Sequence, residues 1–169
     1  MTAETVWQGR FIAMKVDGEW EYAARARGIG AAVILAIDDG DVILVEQYRV
    51  PIGQRCLELP AGLVGDETEG EAVEVAAARE LEEETGYRPM RVETVGSFYS
   101  SPGMVSEGFT LVRALDLVRV SDGGGDAGED ITVHRVALSG IADFVAAKRA
   151  EGVAIDVKLL MLLGPGLLG

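Results

Sequence analysis

With 169 residues the chain is long enough for one domain with a full core and too short for two ordinary ones. Its 28 acidic against 15 basic residues leave a formal charge of -13, which excludes a general grip on nucleic-acid phosphates or on an anionic membrane surface. Cys56 is the single cysteine, no apolar run reaches the roughly 18 residues of a membrane span, and the N-terminus lacks a signal-peptide pattern, so a cytoplasmic protein without internal disulfides is expected.

Taken in chain order, residues 6–26 mix apolar and polar groups around Asp17-Gly18, a favoured pair for a two-residue turn. They predict a small antiparallel hairpin carrying Trp7, Phe11, Trp20 and Tyr22, so that residues 1–27 form a β appendage and residues 28–169 the main domain. Two strong strand signals follow at 31–37 and 42–47, joined by the turn Asp38-Asp39-Gly40-Asp41. Residues 51–64, rich in Pro and Gly, read as a loop with a short strand at 56–59. A helix then starts at a capping box, Thr68-x-x-Glu71, and stops at Gly86, with Val75, Ala76, Ala78 and Leu81 as its apolar face. Further strands are expected at 91–99, 108–118 and 130–137, the last two separated by a Gly-rich loop at 121–128. Helices at 141–150, bounded by Ser139 and Gly152, and at 156–163 complete an α/β pattern, a mixed sheet between helical layers.

The chemistry gathers on the first helix. Residues three and four apart share a helix face, so Glu80, Glu83 and Glu84 stand together and Arg79 reaches Glu83. Each like-charge pair costs about a few tenths of a kcal/mol. Arg79 alone does not neutralise Glu71, Glu80, Glu83 and Glu84, and a divalent metal is the natural counter-charge. Magnesium takes one or two protein carboxylates together with phosphate oxygens and water, and Glu80 and Glu84, one turn apart, suit that role. A remaining carboxylate can orient water or take its proton for in-line attack on phosphorus.

The run Gly65-x5-Glu71-x7-Arg79-Glu80-Leu81-x-Glu83-Glu84-x-Gly86-Tyr87 resembles the signature box of the Nudix hydrolases at every fixed position, the one soft departure being Tyr87, where an aliphatic residue is usual. The resemblance implies an α/β/α sandwich with a mixed sheet, here with the small N-terminal hairpin added, and hydrolysis of a nucleoside diphosphate linked to a further group. It implies magnesium, or manganese in its place, held by Glu80 and Glu84 and by the backbone carbonyl of Ala61, with Arg79 steadying Glu83. Pro102, sixteen residues after Gly86 in Ser100-Ser101-Pro102-Gly103-Met104, resembles the ADP-ribose pyrophosphatase branch, as do Val45-Glu46-Gln47-Tyr48-Arg49 and Leu59-Pro60-Ala61-Gly62.

That branch implies further roles. Arg49 contacts the substrate's phosphates, an aromatic of the hairpin (Trp20 here) stacks on the base, and Pro102, Gly103 and Met104 line the substrate. A second catalytic carboxylate in the loop 123–130 matches Glu129; some relatives carry another acid two positions earlier, where this chain has Ala127. Glu83 and Glu129 therefore both stand as candidates for the base. The branch also implies a homodimer that uses the hairpin. GDP-mannose hydrolysis and a non-catalytic ligand-sensing domain are the alternative readings.

Plainer roles compete at several positions. Glu71 is explained as a capping residue, Glu82 as a solvated one, Arg49 as one half of a salt bridge, and the lone His134 as structural and without an identifiable partner. Pro102 also reads as the shaper of a turn, although its spacing favours the family role, and Trp7 and Trp20 read as anchors of a core or interface. Gly28-x-Gly30 lacks the third glycine of a dinucleotide fingerprint, and no Gly-Lys-Ser/Thr phosphate loop is present.

Overall fold

The computed structural model describes residues 3–27, 29–65, 70–125 and 128–167. Three strands, β1 (Glu4–Gln8), β2 (Ile12–Asp17) and β3 (Trp20–Arg25), form a small antiparallel sheet of their own. The expected hairpin is β2–β3, and β1 adds a third strand. Its turn is shifted by one residue: Asp17 pairs with Trp20, so the turn residues are Gly18 and Glu19. Gly18 takes φ +61° and Glu19 does not have positive φ, the arrangement of a type II′ turn. The sheet is tied to the rest of the chain through Ala23, whose N–H donates to the Met104 carbonyl (3.0 Å) and whose carbonyl accepts from Ser106 N (2.9 Å). Its large side chains stay outside, with Trp7 55%, Phe11 58% and Trp20 65% exposed.

The main sheet is built from β4 (Gly30–Asp38), β5 (Asp41–Arg49), β6 (Gln54–Glu58), β7 (Ala61–Val64), β8 (Tyr87–Tyr99), β9 (Gly108–Arg119), β10 (Thr132–Ala137) and β11 (Ala154–Ile155). Around it lie α1 (Val73–Thr85), α2 (Ile141–Ala150) and α3 (Leu160–Leu167). The sheet is mixed: β4–β9 and β6–β11 are parallel and the other pairs antiparallel. Asp39 and Gly40, at φ +50° and +83°, make the expected β4–β5 turn as a type I′ pair. Beyond that turn the two strands pair only at Asp38–Asp41 and Ile37–Val42, then part. β7 takes the vacated edge of β4 and β6 that of β5, so residues 51–64 hold two strands where sequence reading expects mostly loop.

Side chains alternate along β4, so each helical layer meets its own set. Ala32, Ile34 and Ala36 face Ala77 and Leu81 of α1, whereas Val33 belongs to a second core with Ile141 and Val145 of α2 and Leu159. This is the expected α/β/α sandwich. The alanines let α1 close on the sheet, and Leu81, fully buried, contributes about 2 kcal/mol.

Several boundaries differ from expectation for local reasons. α1 begins at Val73 behind Ala72, which makes no side-chain cap, so Glu71 lies outside the helix and is not a capping-box member; Thr68 lies outside the described residues. The buried stripe is Ala76, Ala77, Leu81, Glu84 and Thr85, while Val75 is 58% exposed. Gly86 does cap the helix, at φ +76°, and β8 starts immediately after it. Pro89 is tolerated inside β8 because β8 is the sheet's edge, where a missing N–H breaks no central ladder. The α2 cap is Gly140 rather than Ser139, and α3 follows a short turn that Asp156 caps by accepting from Lys158 N (2.7 Å). Among the described residues no helix is long and apolar enough to cross a membrane.

His134 has a partner after all. Its Nε2 lies 3.1 Å from Glu46, and its ring meets Phe144 edge-on. Glu46, only 6% exposed, also binds Arg55 at 2.7 Å and Lys148 at 3.0 Å, which ties β5, β6, β10 and α2 together. Burial pushes this carboxyl up, but the bonds from Lys148, Arg55 and His134 outweigh it and hold it down at about 2, against 4.5 ordinarily. A carboxylate with a depressed folded-state value stabilises fully above its unfolded value and loses that contribution as pH falls through the folded one. Urea-unfolding free energies should therefore drop between pH 4.5 and 2 more steeply in the wild type than in Glu46→Gln. At neutral pH that variant, which leaves Arg55 with Asp130 and Lys148 with Glu151 as remaining carboxylate partners, should be less stable by about 2 kcal/mol.

Candidate active site

The parting of β4 and β5 creates the site. Leu59-Pro60 crosses the gap between β6 and β7, pinned where the Pro60 carbonyl accepts from Ile34 N at 2.8 Å. This brings the start of β7 against the last turns of α1. Ala61 N–H donates to Glu84 Oε2 at 3.1 Å, and Gly62 lies so close to Glu80 that a Cβ on it would fall 1.9 Å from the Glu80 carboxyl carbon. Gly62 thus leaves the space that the Glu80 carboxyl occupies.

In front of this contact lies a cavity of about 450 Å³, into which Arg49, Ala61, Gly62, Arg79, Glu80, Glu83, Glu84 and Glu129 all face, joined by Arg25 and Gln47. Arg79 binds its expected partner Glu83 and also Glu80, both at 3.1 Å, with Glu71 at 3.6 Å. Glu71 is thus an ion-pair partner. Glu82 faces away and holds Arg88 through two bonds of 2.7 and 2.8 Å.

Glu84 is 5% exposed, and its burial pushes the carboxyl up to about 8. The Ala61 N–H and the Arg49 charge work against burial, while Glu80 and Glu129 reinforce it. A buried carboxyl pressed by two others is a place where a cation would relieve strain. Among the described residues no three Asp, Glu, His or Cys side chains close a ready-made cage. The donor set therefore fits a cation satisfied by one or two carboxylates, with phosphate and water completing its shell, and magnesium is of that kind. Glu80 and Glu84 are the residues that could hold it. Cys56 is buried, and its thiol is pushed up to about 12 by that burial, so it is no nucleophile.

Arg49 forms the salt bridge that the plainer reading expects. Its Nε and one Nη bind Glu58 at 2.6 and 2.7 Å, yet it is 43% exposed and lines the cavity. Glu129 reaches the same cavity from the glycine-rich loop, whose backbone is fastened to α1: Gly124 N–H donates to the Glu84 carbonyl (2.9 Å) and Gly125 N–H to that of Glu83 (3.0 Å). Position 127 lies outside the described residues. Trp20 and Pro102 are not brought to the carboxylates of their own chain. They line a separate hollow of about 690 Å³ with Tyr22 and Val105, and Gly103 and Met104 are exposed nearby and line neither space.

Sequence reading missed Arg25, Gln47, Glu58 and Gly62 as parts of the site. Glu58 supports Arg49 across the β5–β6 pair, a relation that no helical or alternating period reveals. Gly62 stood in a run already singled out, and only its distance to Glu80 shows why it is glycine.

The NUDIX domain profile matches residues 26–145. The chain is 32% identical over 154 residues to a methanol dehydrogenase activator of Bacillus methanolicus, covering 86% of this chain and 82% of that one. It is 43% identical over 111 residues to an ADP-ribose pyrophosphatase of Bacillus subtilis, covering 62% and 58%. It superposes on a crystal structure of an ADP compounds hydrolase with a TM-score of 0.70 at 25% identity, covering 100% of this chain and 93% of that one.

Because the Cβ of Gly62→Ala would meet the flexible end of Glu80 rather than backbone, that side chain can swing away. The variant should keep its thermal midpoint within a few degrees, a shift of under about 1 kcal/mol, and lose at least about tenfold in turnover once the Glu80 carboxylate leaves its place.

Proposed function

The chain belongs to the Nudix hydrolase family, and from that premise we propose that it is a magnesium-dependent pyrophosphohydrolase of ADP-ribose or a closely related nucleoside diphosphate sugar. The observation that carries this reading is the convergence of Glu80, Glu83, Glu84 and Glu129 with Arg49 on one cavity. The likeness to proteins named ADP-ribose pyrophosphatase and ADP compounds hydrolase supports the substrate class. Water attacks one phosphorus, the bridging P–O bond breaks, and the products are a nucleoside monophosphate and a sugar phosphate.

Glu80 and Glu84, with the Ala61 carbonyl, would hold the metal. When bound, it supplies positive charge to the diphosphate and acidifies the attacking water. Glu83, steadied by Arg79, and Glu129, carried by the loop, are the carboxylates that orient this water and accept its proton. Arg49 meets a phosphate oxygen while Glu58 fixes the plane of its guanidinium.

The exposed Trp7, Phe11 and Trp20 on the small sheet support a homodimer in which that sheet packs on a second copy. Trp20 and Pro102, apart from the cavity of their own chain, would then serve the base of a nucleotide through that assembly. Light scattering at micromolar concentration should give twice the chain mass, and a monomeric mass would count against the arrangement.

Glu84→Gln should lower kcat by at least about 10²-fold with the fold intact, the scale of losing one strong electrostatic contribution. An unchanged rate would remove Glu84 from the metal site. In a phosphatase-coupled assay with magnesium, ADP-ribose should outpace GDP-mannose, UDP-glucose, NADH and nucleoside triphosphates. A preference for GDP-mannose would move the chain to the other branch.

A further inference from the structure

Beside the catalytic cavity lies a second, smaller one of about 220 Å³, lined by Arg10, Phe11, Arg25, Arg27, Ile29 and Leu63. It shares Arg25 and Leu63 with the first, so the two are adjoining rooms of one groove. Three arginines lining one small hollow are unexpected on a chain with a formal charge of -13. Arg25 is offset by an ion pair with Glu107, but among the described residues Arg10 and Arg27 have no carboxylate partner. Arg10 lies over the Phe11 ring, 4.8 Å from its centre.

The local fold holds these residues together. Phe11 sits in the β1–β2 turn, and its carbonyl accepts from Ala26 N at 3.0 Å, which brings Arg10 and Phe11 to the end of β3, where Arg25 and Arg27 lie. Leu63 belongs to β7, one residue beyond the Gly62 that receives Glu80. The hollow therefore stands where the small sheet meets the floor of the catalytic cavity.

We propose that this pocket binds a phosphate monoester carried on the ribose of the substrate's nucleotide, a third phosphate group beyond the scissile diphosphate. The inference rests on the nucleoside diphosphate reading above and narrows it. The diphosphate is already served by Arg49 and by the metal-binding carboxylates, so Arg10 and Arg27 are surplus to it. A phosphate dianion accepts from two or three guanidinium forks at once, and Arg10 and Arg27 can offer two of them. A volume of about 220 Å³ has room for one phosphate and part of its sugar, and none for a second nucleotide.

The test is equilibrium binding, by calorimetry on the full chain with magnesium, of AMP, adenosine 2′,5′-bisphosphate and adenosine 3′,5′-bisphosphate. At least one bisphosphate should bind about tenfold or more tightly than AMP, and the one that does identifies the ribose position. The advantage should shrink with added salt. It should fall below about twofold in the double variant Arg10→Ala/Arg27→Ala, and keep only part of its size in Arg10→Lys/Arg27→Lys, which retains both charges without the planar forks. Equal binding of all three nucleotides, no binding of any, or an advantage that survives the alanine variant overturns the pocket. ADP-ribose hydrolysis in the same samples keeps the two readings apart. Turnover without a bisphosphate advantage sinks the pocket alone, and an Arg-dependent advantage without turnover sinks the hydrolase reading alone.

Discussion

The organising constraint is the close contact of the last turns of α1 with the first two residues of β7. One buried carboxylate, Glu84, is held by the Ala61 N–H, and a second, Glu80, lies flat on a residue that has no side chain. For that contact to form, β4 and β5 must part after two residue pairs, β6 and β7 must fill the gap, and α1 must approach the sheet through alanines. A contact between two residues of α1 and two of β7 thus goes with the branching of the whole sheet.

Electrostatics make the same contact costly in isolation. Glu84 is pressed by burial and by Glu80 and Glu129, and the chain carries a large negative charge overall. Such a surface repels an anionic substrate unless positive charge is placed locally. The fold does so in two layers. Arg79 sits among Glu71, Glu80 and Glu83, and Arg49 and Arg25 stand at the wall, each fastened to its own acid. Pairing each arginine with a carboxylate fixes its orientation at the expense of net attraction.

Features that depend on short-range chemistry were legible in the sequence. The Asp39-Gly40 turn, the Gly86 cap and the shared face of Glu80, Glu83 and Glu84 all follow from spacings of four residues or fewer, and the structure has each of them. Where the reading slipped, the deciding partner was distant. Residues 51–64 become two strands only because β4 and β5 offer free edges, and Ala77 rather than Val75 turns inward because of where α1 meets β4. His134 finds Glu46, 88 residues away in the chain, across the β5–β10 pair. The pocket shared by Arg10 and Arg27 was illegible for the same reason, since the two residues are brought together by pairing between strands rather than by any local period.

The fastening of the glycine-rich loop to the carbonyls of Glu83 and Glu84 bears on how such a chain can diversify. The loop that delivers Glu129 is laced to the same two residues whose side chains face the cavity. Insertions there would unpick the carboxylate-lined cavity, so its length is not free to vary. The small N-terminal sheet borders the groove through Arg25 and the β8–β9 connection lines the separate hollow beside Trp20, and among the described residues neither has a backbone hydrogen bond to α1. Changes of substrate among descendants of this chain should therefore accumulate at those two borders, with the hydrolytic centre inherited intact.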